Sequence, residues 1–313
     1  MDSPPFSGHR ILVTGGLGFI GSHLVDALAA HNGVIVLDNC STGRRAYRND
    51  AATTIDGDIR EPATLERATE DVDLIFHEAA VVSVDRSVEE PYETNRTNLE
   101  ASIRLLECAR REDARVVVAS SAAIYGHPEE LPVAETAATE PTSPYGVQKL
   151  ALDQYVRLYH DLYGLETVAL RYFNAYGPRQ QGPYSGVIST FLRQARAGDP
   201  ITIQGDGQQT RDFVHVEDVV QANVLAATTD DVGEAFNVGT GDRITIEELA
   251  ETIQTATDSD SPIVHHDARP GDIRHSEADI SKARRHLDFE PRVDLETGIR
   301  ELVEGETLEV EET

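Results

Sequence analysis

The 313-residue sequence predicts an α/β fold, a doubly wound parallel sheet with helices on both faces, followed by a smaller second α/β domain. Three observations carry this expectation. Short, nearly continuous apolar runs alternate with helical patterns, as strands buried on both faces require. A glycine-rich turn follows the first run directly, and from about residue 175 the alternation loosens into Gly- and Pro-punctuated segments with isolated helices. The expected domains are therefore 1–174 and, for most of the second, 175–313, with some later segments free to return to the first.

Taken in order, the first strand is Arg10–Thr14, and Thr14-Gly15-Gly16-Leu17-Gly18-Phe19-Ile20-Gly21 leads from it into a helix through Leu28. Glycines at 15, 18 and 21 allow a tight turn, close backbone approach to a pyrophosphate at the helix N-terminus, and close helix packing. The second strand, Val34–Asp38, ends in a carboxylate at the separation expected of a group that binds the adenosine ribose hydroxyls. Asp38 would repel a 2′-phosphate, which favours NAD over NADP, while Arg44 and Arg45 lie near enough in sequence to keep NADP open. Further strands are expected at Leu74–His77, Val116–Ser120 and Thr167–Arg171, with a helix from Asn98 to Arg111. Beyond residue 175, helices are expected at Val216–Ala227, Ile246–Thr255 and Ser281–Leu287, and the Glu-rich segment from Glu301 to Thr313 reads as a frayed tail.

A formal charge of −28, from 55 acidic against 27 basic residues, excludes nucleic acid as the natural partner. With 40% apolar residues in regular runs, the acidic excess reads as a solvated shell suited to high salt rather than as disorder, so a halophilic source is expected. Cys40 and Cys108 give neither a disulfide framework nor a zinc-ligand spacing, and no metal is expected. The N-terminal segment does not read as a signal peptide and no apolar run approaches the ~20 residues needed to span a bilayer, so a cytoplasmic protein without a membrane partner is expected.

Lysine has been replaced almost everywhere, only Lys149 and Lys282 remaining, and Lys149 stands in Ser143-Pro-Tyr145-Gly-Val-Gln-Lys149. Ser143 and Pro144 read as N-cap and first helical residue, which puts Tyr145 and Lys149 on one helix face at i, i+4. A nearby ammonium should draw a tyrosine pKa below its usual value of about 10, making the phenol usable as acid and base. Alone, the same spacing also describes an ordinary amphipathic helix with a surface lysine.

More ordered segments follow: Gly57-Asp58-Ile59-Arg60, Phe76-His77-Glu78-Ala79-Ala80, Ala119-Ser120-Ser121-Ala122-Ala123-Ile124-Tyr125-Gly126, Leu170-Arg171-Tyr172-Phe173-Asn174, Gly205 to Asp218 around Arg211, and Arg269-Pro-Gly-Asp272. With the glycine turn and the Tyr145–Lys149 pair, they resemble the extended short-chain dehydrogenase/reductase family, in its nucleotide-sugar epimerase and dehydratase branch, from about Arg10 to about Leu302. The resemblance implies a Rossmann-type NAD-binding domain and a smaller domain that binds substrate. It implies NAD contacts from Gly15, Gly18, Phe19, Ile20, Gly21, Asp38, Asn39, Asp58, Ile59, Ala79, Ala80, Tyr145, Lys149 and Tyr172, with Asp58 and Ile59 at the adenine. Ser121 is the implied third catalytic member beside Tyr145 and Lys149, in preference to Ser120. Asn174, Arg211, Arg269, Asp272 and Ser276, together with Ser121 and Tyr145, are the implied substrate contacts. Asn98 matches a family residue near the site but reads equally as a helix-start residue, His77 reads as a packed residue, and Arg211 has Asp212 as an alternative partner.

The reaction implied is 4-epimerisation of a UDP-sugar through a 4-keto intermediate. Family dehydratases carry an Asp-Glu pair where this sequence has Ala122-Ala123, and family decarboxylases carry a Ser-Pro-Pro loop where it has Val81-Val-Ser-Val-Asp-Arg-Ser87. Many epimerases have Thr at the place of Ala123, which points to a slower rate. Ser276, at the position of a wall beside the sugar 2-substituent, would leave room for N-acetylamino sugars. Another nucleotide-sugar oxidoreductase or dehydratase of the branch, or a non-catalytic NAD-binding protein, are the alternatives, and a homodimer through the Asn98 and Tyr145 helices is the implied assembly.

Overall fold

Every residue of strand β1 (Arg10–Thr14) after Arg10 is buried, Ile11 and Val13 packing into one layer and Leu12 into the other. A strand that is apolar on both sides has to sit inside a sheet covered twice, and this one does. The computed structural model describes residues 4–180, 186–268 and 271–311. Strands β2 (Gly33–Asp38), β3 (Thr53–Asp56), β4 (Leu74–His77), β5 (Arg115–Ser121) and β6 (Thr167–Tyr172) join β1. Together with a late strand, Glu234–Val238, they form a seven-stranded sheet in the order Glu234–Val238, β6, β5, β4, β1, β2, β3, every pairing parallel.

Helices α1 (Phe19–Leu28), α2 (Pro62–Thr69), α3 (Val84–Glu89), α4 (Pro91–Asn95), α5 (Ala101–Glu112), α6 (Pro144–Tyr163), α7 (Gly186–Ala197), α8 (Val216–Ala226) and α9 (Ile246–Thr257) complete the layers. Leu24, Val25 and Leu28 of α1 and Val219, Val220 and Ala222 of α8 cover one face of the sheet. Leu65 of α2, Leu105 and Leu106 of α5, and Leu152, Val156 and Tyr159 of α6 cover the other. Each such side chain contributes about 1.5–3 kcal/mol on leaving water. A separate core gathers Ile188, Phe191 and Leu192 of α7, Leu249 and Ile253 of α9, the strands Ile201–Gln204 and Phe213–His215, and the helix Leu295–Glu311.

Two features differ from the sequence expectation. The segment from Glu301 is the continuation of the helix Leu295–Glu311 rather than a frayed tail, because Leu302 buries in the second core and Arg196 donates to its carbonyl at 2.9 Å. Glu234–Val238 was not legible as a strand because its Asn237 is polar. That side chain is wholly buried, donating to Val133 O at 2.8 Å and accepting from Tyr125 Oη at 2.6 Å.

A buried ion pair ties α6 to the sheet. Arg171 of β6 donates to both carboxylate oxygens of Asp153 at 2.9 and 3.0 Å, and Ser120 of β5 donates to the same carboxylate at 3.0 Å. The other side of the guanidinium reaches Tyr125 Oη and Glu135 O, each at 2.9 Å. Removing one partner would leave an uncompensated buried charge, so Asp153→Ala is expected to cost about 3–5 kcal/mol in a denaturant titration. An unchanged midpoint would show that the pair is not holding the helix.

Candidate active site

The parallel order turns at β1, which has β2 on one side and β4 on the other, and a crevice opens there at the carboxyl ends of the strands. Thr14 is in register with Leu37 and with His77, so Gly15, Asp38 and Glu78 leave the sheet side by side. Gly15 takes φ +70°, and a Cβ there would lie 2.8 Å from Ala79 N. Gly21 lies so close to Gly15 O that a side chain there would collide with the turn. Helix α1 starts at Phe19 and Ile20 with Gly18 as its N-cap and no side chain capping it, which leaves its N-terminus open to an anion.

Asp38, 8% exposed, accepts from Leu17 N at 3.0 Å and Cys40 N at 2.7 Å. Burial pushes its carboxyl up and these two donors oppose that; each oxygen keeps a lone pair for a ribose hydroxyl. Asn39 donates to Asp58 at 3.0 Å, and Arg60 clamps the same carboxylate at 2.9 and 2.7 Å, holding its pKa near about 2. Asp58 is thus already engaged, and Ile59 and Arg60 face the cavity in front of it. That cavity, about 290 Å³, is lined by Gly15, Asp38, Asn39, Ile59, Glu78, Ala79 and Ala80 among others. Arg45 and Arg48 converge at 3.5 and 2.7 Å on Asp56, the residue in register with Asp38 on β3.

Helix α6 brings Tyr145 and Lys149 to the edge of β5. Ser143 caps it, accepting from Gly146 N at 3.1 Å, and Gly146 packs so closely that a Cβ would lie 2.7 Å from Ala123 O. Tyr145 N donates to Ser87 Oγ at 3.1 Å, and the Ser121 side chain stands within reach of the phenol for a hydrogen bond. Lys149, 4% exposed, donates to Ala119 O at 2.6 Å, its Nζ 5.9 Å from the Tyr145 ring centre. Contrary to the sequence expectation, Tyr145 is pushed up to about 12, not down: burial dominates, the Ser121 hydrogen bond opposes it, and the Glu78 carboxylate adds to it. Burial draws Lys149 below the usual ammonium range.

A second cavity, about 170 Å³, is lined by Ser121, Ala122, Ala123, Tyr172, Phe173, Asn174, Arg211 and Ser276 among others. Arg211 turns to Asp272 at 2.5 Å rather than to Asp212, which is buried and accepts from Thr240 N and Ala278 N at 2.8 and 3.0 Å. Asn174 donates to Asp212 O at 2.9 Å. Arg269 lies outside the described residues.

Three residues near the site, Asn98 and His77 among those weighed from the sequence and Glu78 given no role there, take defined places. Asn98, in a π-helical turn before α5, accepts from Val81 N at 2.7 Å and donates to Val81 O and to Gln148 of α6, so it clamps the Ala79–Val81 loop to that helix. Glu78 accepts from Tyr172 Oη at 2.8 Å, which in turn accepts from Asn223 at 2.7 Å. His77 bridges Thr14 and Ser102 at 2.7 Å each and is held near about 3 by burial, hence neutral. Among the described residues no group of His, Cys, Asp or Glu could hold a metal ion.

A glycine cradle at an uncapped helix, with a carboxylate set for a ribose and a buried Tyr–Lys pair next to a half-buried Ser beside it, defines a dinucleotide-dependent enzyme of the short-chain dehydrogenase/reductase kind. The model of the NAD dependent epimerase/dehydratase family matches residues 11–239. The chain belongs to that family. The UDP-glucose 4-epimerase of Mycolicibacterium smegmatis is 39% identical over 306 residues, covering 94% of this chain and 97% of its own. The structure of the UDP-N-acetylglucosamine 4-epimerase of Methanobrevibacter ruminantium, solved with UDP-N-acetylmuramic acid, superposes with a TM-score of 0.93 at 40% identity, over 97% of this chain and 100% of that one. That of the Thermotoga maritima UDP-glucose 4-epimerase, solved with UDP-glucose, also gives 0.93, at 38% identity over 96% and 99%.

The turn makes a direct test of the cofactor cradle. Gly15→Ala forces an L-residue into a positive φ, at about 1–3 kcal/mol, and drives its methyl into Ala79, so the variant is expected to purify without bound NAD. A normal cofactor content would show that the turn does not lie against it.

Proposed function

We propose that the protein catalyses NAD-dependent 4-epimerisation of a UDP-sugar, interconverting UDP-glucose and UDP-galactose and also their N-acetylamino forms, through a transient 4-keto sugar. The observation that carries this reading is the buried Tyr145–Lys149 pair with Ser121, which lines the second cavity together with Ala122 and Ala123. NAD, held by Gly15, Gly18, Phe19, Ile20, Gly21, Asp38, Asn39, Asp58, Ile59, Ala79, Ala80 and Tyr172, supplies a reversible hydride acceptor. Tyr145 takes the proton of the sugar 4-hydroxyl and later returns it. Ser121 hydrogen-bonds the same oxygen, and Lys149 supplies the positive charge that favours the phenolate against the effect of burial.

Elimination of water from the sugar would need a further acid and base, and Ala122 and Ala123 carry no titratable group. Asn174 and Arg211 are assigned to the nucleotide diphosphate, and Arg269 and Asp272 to the phosphate and ribose of the nucleotide. A guanidinium suits phosphate geometry, and Arg211 is buried with Asp272 as its charge partner, a place a phosphate can take. Ser276, a small side chain in the lining of the second cavity, leaves space beside the sugar.

The assembly assigned is a homodimer through α5 and α6, supported by the exposed Leu158, Leu162 and Tyr163 on the outer side of α6. A halophilic, cytoplasmic setting is assigned from the acidic excess and from two free cysteines. Among the described residues, no helix is long and apolar enough to cross a membrane.

Proton NMR of the protein in molar KCl, given UDP-glucose or UDP-N-acetylglucosamine without added cofactor, is expected to show the galacto epimers. Tyr145→Phe should lower the rate by about 10²–10⁴ with NAD retained, and Ser276→Tyr should remove turnover of the N-acetyl sugar alone. Silence that persists after NAD is added would overturn the reading. Light scattering in the same buffer is expected to give twice the chain mass of 34.2 kDa, and circular dichroism to show unfolding on dilution into low salt. A fold unchanged at low salt would sink the halophilic assignment.

A further inference from the structure

We propose that Glu78 is a positioning residue for this chemistry: its carboxylate, held by Tyr172 at the inner end of the cofactor cavity, is the counter-charge that keeps the Lys149 ammonium protonated. Its importance for the reaction rests on the assignment of Tyr145 and Lys149 made above.

The position is set by the sheet. Glu78 is the first residue beyond β4, its N–H donating to Thr14 O at 3.2 Å. The register pairs His77 with Val118, which brings Glu78 alongside Ala119, the residue whose carbonyl accepts from Lys149 Nζ at 2.6 Å. The register of β5 with β6 pairs Ser121 with Tyr172, and Tyr172 Oη donates to Glu78 Oε1 at 2.8 Å while accepting from Asn223 Nδ2 at 2.7 Å. One carboxylate oxygen is thus fixed by a chain of hydrogen bonds that runs back to α8. The accessible surface of Glu78 faces the cavity, with protein on the other sides.

The charges around this carboxylate leave Lys149 as its cationic neighbour. From α6 come Lys149 and Tyr145, and from β6 comes Tyr172. Farther along the cavity wall, Arg86 is paired with Glu90 at 3.0 Å and Arg60 with Asp58 and Glu93 at 2.7 and 3.6 Å. The adjoining His77 turns into Thr14 and Ser102 and is neutral. No direct ion pair joins Glu78 to Lys149; burial pushes the Glu78 carboxyl up to about 7 and the Lys149 ammonium down, and across the gap each charge opposes the other's loss.

A buried ammonium with one carbonyl acceptor tends to shed its proton. A neutral Lys149 could not support the phenolate of Tyr145. The Glu78 carboxylate opposes that loss. The same negative charge also raises the proton affinity of Tyr145, so removing it lowers both ionisations together.

With only Lys149 and Lys282 in the chain, 13C-lysine labelling gives two side-chain signals, assigned by Lys282→Arg. Glu78→Gln keeps the shape and the acceptor for Tyr172 and removes the charge. The titration midpoint of Lys149 in the substrate-free protein is expected to fall by about one pH unit, with Lys282 unmoved, and both limbs of the kcat/KM profile to move to lower pH. An unchanged Lys149 midpoint overturns the proposal whatever the substrate is. A lowered midpoint in a protein with no epimerase activity supports the role of Glu78 and counts against the reading of the reaction. Should Glu78→Gln fail to fold, Glu78→Met takes its place in the same titration.

Discussion

The site depends on how α6 is pinned to the sheet. Tyr145 and Lys149 share a helix, but their partners Ser121 and Ala119 belong to β5, so the chemistry exists only while that helix keeps one height and one rotation. Three contacts fix it: Gly146 pressed against Ala123 O, Lys149 Nζ on Ala119 O, and Asp153 gripped by Arg171 and Ser120. The last is a buried charged pair, which tolerates little displacement because either ion alone would be costly to bury. Tyr145 N on Ser87 Oγ adds a tie from α3, the element that also borders the cofactor cavity.

The parts of the fold that were legible are those where local pattern and tertiary demand agree. The stretches Ile11–Val13 and Val168–Leu170 are apolar throughout because the sheet is covered twice, and the glycines at 15 and 21 are required by backbone approach that no other residue permits. β3 was missed because Thr53–Asp56 is a short, half-exposed edge strand without an apolar signature. Tyr145, Lys149 and Ser121 were found through motifs. The proton affinity of Tyr145 was misjudged, because spacing along a helix says nothing about how far burial outweighs a neighbouring charge. Asp153 was not singled out, and the roles of Glu78, inside a quoted segment, and of Asn98, matched to a family residue near the site, were not legible because their partners lie on other elements.

Composition and site meet in the choice of cation. The chain keeps arginine where planar, two-pronged bonding matters, at Arg171 on Asp153 and Arg60 on Asp58. It keeps lysine at Lys149, where the cavity wall has room for a compact ammonium whose proton affinity can be tuned, and an arginine could not be tuned in this way. Elsewhere the surface is given to carboxylates, many of them paired with arginine at short range along helices, as in Glu100–Arg104 and Glu107–Arg110.

The late return of Glu234–Val238 to the sheet has a bearing on biosynthesis. Until that segment has left the ribosome, β6 presents an open row of backbone donors and acceptors, and the buried Asn237 that satisfies Tyr125 is missing. A nascent chain ending in the second core would therefore carry an unprotected strand next to its active-site helix, the kind of edge that recruits other chains. The two bodies of the molecule are interleaved by chain order, so a fragment cut after β6 would inherit that bare edge permanently.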